Sequence, residues 1–285
     1  MASMRDIKRR RNSVASTQQI TKAMKLVSTV KLQKTKARAE SSKPYFDKMY
    51  DTVTSMLAKS GTIEHPYLKK QDSKKKAVIL ITSNRGLAGG YNSNVIKTVT
   101  GSDLKAEDLV LYTVGNKGRD YFQRRNYHIE KEYNEVIENP MFSDAREICN
   151  EVLSKYASGE IGEIYVAYTY FKNTVVHEPQ LLKLLPVEVK EEDVDAARSN
   201  ALMNYEPKED EALDIIIPKY ITSILFGALV ESVASENGAR MQAMDSATNN
   251  AAELIDKLTL QYNRARQGSI TQELTEIIAG ANAQE

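Results

Sequence analysis

The stretch Ser83-Asn84-Arg85-Gly86-Leu87-Ala88-Gly89-Gly90-Tyr91-Asn92 comes nearest to a reaction site. It follows a strand-like run and precedes a helical pattern, where α/β folds cradle phosphate on backbone N–H groups. The chain carries neither G-x-G-x-x-G nor G-x-x-x-x-G-K-[ST]. Without that lysine and hydroxyl, nothing is provided to hold a terminal phosphate and its magnesium. The stretch therefore reads as a structural turn, with Arg85 placed to meet a partner. His65, His128 and His177 are scattered, without metal-ligand spacing. Cys149 is the single cysteine, which forbids an internal disulfide and reads as a small buried hydrophobe. Glu191-Glu192 lies in an acidic loop with no pocket signature. No catalytic group, metal or cofactor is expected.

The elements around these residues are more telling. Residues 4–57 read as a helix, with Ile20, Ala23, Val27, Val30 and Ala37 at the three-four spacing of a packing seam. Tyr45, Met49, Val53 and Met56 continue it, Pro44 predicts a weak point, and Gly61 ends it. From Lys219 to Glu285 there is no proline, and a continuous helix there is roughly 100 Å long. Its seam is Met241, Met244, Thr248, Ala251, Ile255, Leu258, Tyr262 and Ala265, then slips to Ile270, Leu274, Ile277 and Ala281. Between the rods, strands at 77–82, 109–114, 127–133, 163–171 and 181–189 alternate with helical patterns from Asn94, over 116–125 and over 143–158. That alternation predicts a Rossmann-like α/β domain with a mostly parallel sheet.

The expected fold is a long antiparallel coiled coil of N- and C-terminal helices with that domain inserted. Its parts are 1–60, the first helix; 74–190, the α/β domain; 191–217, an acidic connection; and 218–285, the second helix, opening near Pro218. The second helix is the longer, so part of it needs a sleeve from outside the chain.

A net charge of +1 conceals an asymmetry. Residues 1–48 carry 13 Lys+Arg against 3 Asp+Glu, and residues 187–214 carry 10 acids against 3 bases. Two different partners are implied. Aromatic interleaving is missing before Tyr45, which argues against nucleic acid as the partner of the basic rod. No continuous apolar run reaches membrane-span length, and the start has no apolar signal core, so the expected location is the cytoplasmic side, free or membrane-peripheral.

Four segments carry a resemblance. They are Gln19 to Ser28, QITKAMKLVS; Ser83 to Asn92, SNRGLAGGYN; Ala239 to Asn250, ARMQAMDSATNN; and Tyr262 to Ile277, YNRARQGSITQELTEI. Together they closely resemble the γ subunits of F-type ATP synthases, over essentially the whole chain. The resemblance implies a non-catalytic central rotor shaft. Its coiled coil stands inside a hexamer of α and β subunits, and its domain sits against the ε subunit and the membrane c ring. Ion flow, implied to be protons, turns the ring and drives ATP synthesis at the β subunits. By matched position, Arg266, Gln267 and Thr271 are implied to meet an acidic loop of one β subunit. Arg240 falls in the same coupling region, Met24 matches a methionine whose environment affects coupling, Arg85 meets a β subunit, and Tyr205 and Glu206 touch the c ring. Lys25 stands where the family often has Glu, Asn84 where Asp is usual, and Ala88 where Cys is usual. The implied site is the cytoplasmic side of a bacterial plasma membrane, with the membrane touched only through the complex. A nucleotide-dependent enzyme built on the α/β domain and a coiled-coil tether for nucleic acid are the competing readings.

Overall fold

The computed structural model describes residues 3–59, 65–68, 71–187 and 209–282. The chain divides into two compact units, Met1–Ser28 with Arg240–Glu285, and Thr29–Ala239. Two long helices run through both: α1, Met4–Lys59, and the last helix, Glu209–Asn282.

In the first unit the two helices pair antiparallel. Thr21 shares a hydrogen bond with Thr248, Lys25 bonds Asp245, and the Arg11 guanidinium lies over the Tyr262 ring. As the number rises on one helix it falls on the other. The C-terminal helix contributes the predicted seam: Met244, Ala251 and Leu258 are buried, and Met241, Thr248, Ile255, Tyr262 and Ala265 are half-buried.

The seam of α1 is not the predicted one. Ile20, Val27 and Val30 are 60%, 58% and 66% exposed, and Ala23 and Ala37 are exposed too. The covered face instead follows Ile7, Arg11, Val14, Gln18, Thr21, Lys25, Ser28 and Leu32, in alternating steps of four and three. Thr21 and Ser28 are only 8% and 2% exposed. Small and hydroxylated residues let the helices approach closely here, and the apolar stripe is turned outward.

The second unit holds a five-stranded sheet of β1, Lys76–Ile81; β2, Leu109–Val114; β3, Ile129–Glu132; β4, Glu163–Phe171; and β5, His177–Leu185. Their order is β3-β2-β1-β4-β5. The pairs β1·β2, β1·β4 and β2·β3 are parallel, and β4·β5 is antiparallel. Helices α2, Tyr91–Thr100, and α3, Asn116–Gln123, pack on one face through Val95, Ile96, Val99 and Phe122. On the other face lie α4, Phe142–Ala157, the end of α1 through Val53 and Met56, and the start of the C-terminal helix, now α5, through Leu213 to Val233. The central strands are thus buried on both sides, which explains their nearly continuous apolar runs.

Helix α5 begins at Glu209 with Pro218 inside it, nine residues before the sequence reading opens it. Ala212, Leu213, Ile217 and Ile221 are buried in the core, and that burial outweighs the one backbone bond proline removes. Residues 191–208 of the acidic connection, with Gly61, lie outside the described residues. An 18-residue window of α5 reaches a mean hydropathy of 1.7, enough to cross a membrane, although the sequence has no unbroken apolar run of that length. Of that window 56% is buried inside the protein, as befits a core helix.

Candidate functional site

A parallel sheet of this order changes direction between β1 and β4, and ligands of doubly wound folds bind beyond the strand ends at such a switch. Here α5 packs there. Beyond Ala167, the last β4 residue paired with β1, Ser232 Oγ accepts from the Thr169 N–H at 3.3 Å and Ser235 Oγ donates to its carbonyl at 3.1 Å. The Thr169 backbone groups of β4 are thus taken by the helix.

The turn after β1 is tied down from within. Asn92 Oδ1 accepts from the Ser83 N–H at 2.9 Å, and Ser83 Oγ donates to the Arg85 carbonyl at 2.6 Å. Asn84 links two further elements: its amide donates to the Asn134 carbonyl at 2.7 Å and accepts from the Asn116 N–H at 3.1 Å. Gly115, at φ 92°, brings its Cα so close to the Thr82 carbonyl that a Cβ would lie 2.2 Å from the oxygen. This bracing holds Arg85 on an exposed tip. Beside it, a cavity of about 180 Å³ is lined by Lys31, Thr35, Arg38, Asn84, Glu138 and Asn237 among others. Lys31 stands 3.9 Å from Glu138, and Arg38 donates to the neutral Asn139 amide at 3.3 Å.

The histidines are held apart as structural parts. His65 is buried, accepts the Tyr67 N–H on Nδ1 and lies 3.1 Å from Asp214. His128 lies 3.0 Å from Glu130 on an exposed edge. His177 packs against the Cα of Gly238, and burial lowers its pKa. Burial pushes the Cys149 thiol up to about 12, against a smaller opposing effect of the Thr222 hydroxyl. No group of three or more potential metal ligands occurs among the described residues.

The remaining sequence-named residues lie on the helix pair. Met24 and Arg240 are half-buried in the first unit. Arg266, Gln267 and Thr271 are exposed on α5 near and beyond the point where α1 begins opposite it. The Thr271 hydroxyl donates to the Gln267 carbonyl at 2.9 Å, and the Gln267 and Arg266 side chains are exposed. Past them Ile270, Leu274, Ile277 and Ile278 stay exposed. Arg85 belongs to the other unit, and Tyr205 and Glu206 lie outside the described residues. The outward stripe of Ile20, Val27 and Val30 is the surface that sequence reasoning misplaced as the seam. The alternating four-three series of small and polar residues on α1 was its signal.

An antiparallel helix pair with an inserted α/β domain and exposed apolar residues on both helices defines the class of fold. The ATP synthase family model (ATP-synt) matches residues 3–284. The chain is 64% identical to the ATP synthase gamma chain of Lachnoclostridium phytofermentans, over 99% of each protein. It is 45% identical to the sodium ion specific ATP synthase gamma chain of Acetobacterium woodii, over 98% of each. A solved central stalk and c-ring of the mitochondrial ATP synthase of Tetrahymena thermophila aligns with 80% of this chain and 99% of its counterpart, at TM-score 0.60 and 25% identity. The chain belongs to the ATP synthase gamma-chain family. It is a non-catalytic central-stalk subunit that couples rotation to the chemistry of the complex.

Proposed function

We propose that the coiled-coil unit turns inside a hexamer of α and β subunits, and that the α/β domain carries the ε subunit and rests on the c ring. The single observation behind this reading is the exposed apolar surface of a paired rod. Ile20, Val27 and Val30 on α1 and Ile270 to Ile278 on α5 face outward, and such a surface belongs against another protein. The basic start of the chain suits acidic loops of the β subunits.

Arg266, Gln267 and Thr271 engage one β subunit, Arg240 and Met24 act in the same zone, and Arg85 meets a β subunit from its braced turn. Tyr205 and Glu206, with the acidic connection, form the foot on the c ring. Rotation places different faces of an asymmetric shaft against each β subunit, so shaft angle and site affinity are linked by differential contact. The complex works at the cytoplasmic side of a bacterial plasma membrane, and the chain touches the membrane only through its partners. Co-expression with α and β tests this reading. A stable complex is expected; in the whole membrane complex, Arg266→Ala and Gln267→Ala lower ATP-driven ion pumping while nucleotide binding at β persists. Failure of αβ hexamers to retain the chain would end the reading.

A further inference from the structure

Position 25 lies in the covered series Thr21, Lys25, Ser28 of α1, where a coiled coil ordinarily carries an apolar residue. The Lys25 ammonium reaches across the pair to Asp245 Oδ1 at 2.6 Å. One turn away Thr21 and Thr248 share a 2.8 Å hydrogen bond, and Gln18 donates to the Thr248 carbonyl at 3.5 Å. Beside the pair the seam is built of small residues, Thr21, Ser28, Thr248 and Ala251, which interdigitate less than the large buried side chains Met244 and Leu258 farther along it. Charge adds to the discrimination between registers here. A slip of one heptad puts Ala252 or Gly238 opposite Lys25, and neither offers a carboxylate. A single lysine on a seam is an established way to fix register at some cost in stability.

We propose that Lys25 and Asp245 form a register lock, placed just before both helices leave the first unit at Ser28 and Arg240. A shaft under torque tends to convert twist into sliding of one helix along the other. Sliding by a heptad moves a helix by roughly 10 Å. It would carry Arg240, Arg266 and Gln267 away from their stations together. Lys25 and Asp245 are positioning residues in this role, which rests on the rotor function given above.

The test uses the whole complex with Lys25→Glu, Asp245→Lys and the double exchange. Each single change places like charges opposite each other, shifts the register equilibrium by about threefold, the scale of an exposed ion pair, and lowers ion pumping per ATP hydrolysed. The double exchange restores it. Oxidised Thr21→Cys/Thr248→Cys, which fixes register covalently, makes either single change harmless. If a reversed charge blocks assembly, Lys25→Gln serves in its place. Spin labels on cysteines at the exposed positions Gln19 and Asn250 report register in the full chain, whatever the fate of the rotor reading. The distance shifts or broadens in the single variants and returns in the double. Unchanged distance in the single variants, or a double exchange that stays uncoupled, overturns the lock. A shifted distance with full coupling overturns its link to coupling and leaves the rotor role standing.

Discussion

The Arg11 guanidinium lies 5.8 Å from the centre of the Tyr262 ring, and this contact is near the limit of helix pairing within the chain. Before Arg11, α1 extends only to Met4, whereas α5 runs on from Tyr262 to Asn282. The last turns of α5 therefore have no counterpart on α1, and Ile270, Leu274, Ile277 and Ile278 are exposed. Removing residues 270–285 deletes surface without opening a core. The isolated chain should keep its urea stability within about 0.5 kcal/mol, measured by circular dichroism. A larger loss would mean that the tip folds back on the protein.

The two faces of α1 give opposite expectations. Leu32 is buried, and Leu32→Ser removes packed apolar volume, costing about 2–4 kcal/mol in the isolated chain. Val27→Ser acts on the outward stripe and should change stability by less than about 0.5 kcal/mol. Affinity for the αβ hexamer should reverse that ranking, with Val27→Ser weakening association. Equal stability losses for both variants would restore the apolar stripe as the seam.

This reversal shows how far the sequence could be read. The α5 seam was legible because Met244, Ala251 and Leu258 are apolar at heptad spacing and buried. On α1 the same logic selected Ile20, Val27 and Val30, which are outside. Apolar periodicity marks a face suited to burial but does not say against what, and on α1 that face is not the one turned to α5. The alternation of strands and helices gave the α/β domain and its parallel core. The direction of β5 was not fixed by its residues, because an edge strand of either direction can carry the same mixed pattern. Pro218 misled for a related reason: a proline signals a helix boundary locally, whereas Leu213 and Ile217 bury themselves in the core from beyond it. Arg85 could be placed on its turn, but the Ser83, Asn84 and Asn92 bracing needed coordinates.

Glu163 opens β4 and is clamped by its neighbours in the sheet. Lys76 of β1 lies 2.9 Å away, Lys183 of β5 3.4 Å and the Tyr165 hydroxyl 3.0 Å. Burial alone would raise its pKa, but the Lys76 and Tyr165 hydrogen bonds and the two lysine charges prevail and hold it at about 2, against an ordinary 4.5. The folded state therefore favours the carboxylate. Its contribution is complete above pH 4.5 and is lost as pH falls towards 2. Glu163→Gln should cost about 1–3 kcal/mol at pH 7, and the difference from the parent should shrink below pH 4.5 and vanish near pH 2. A difference independent of pH would remove ionisation as the cause.

Cys149 is buried in α4, with burial pushing its thiol up to about 12. Reactivity needs both access and thiolate. The native chain should resist maleimide at pH 8 and take up one equivalent when unfolded in urea. Rapid native labelling would show that α4 opens readily.

The central claim is that this chain is a shaft that turns. A fluorescent bead can be attached to a cysteine at exposed Lys105, in the loop after α2, in a complex with α and β fixed to glass. On addition of MgATP, the bead should rotate in one direction in steps, and it should stop when ATP is withdrawn. A complex that hydrolyses ATP at full rate while a firmly attached bead stays still would contradict the account.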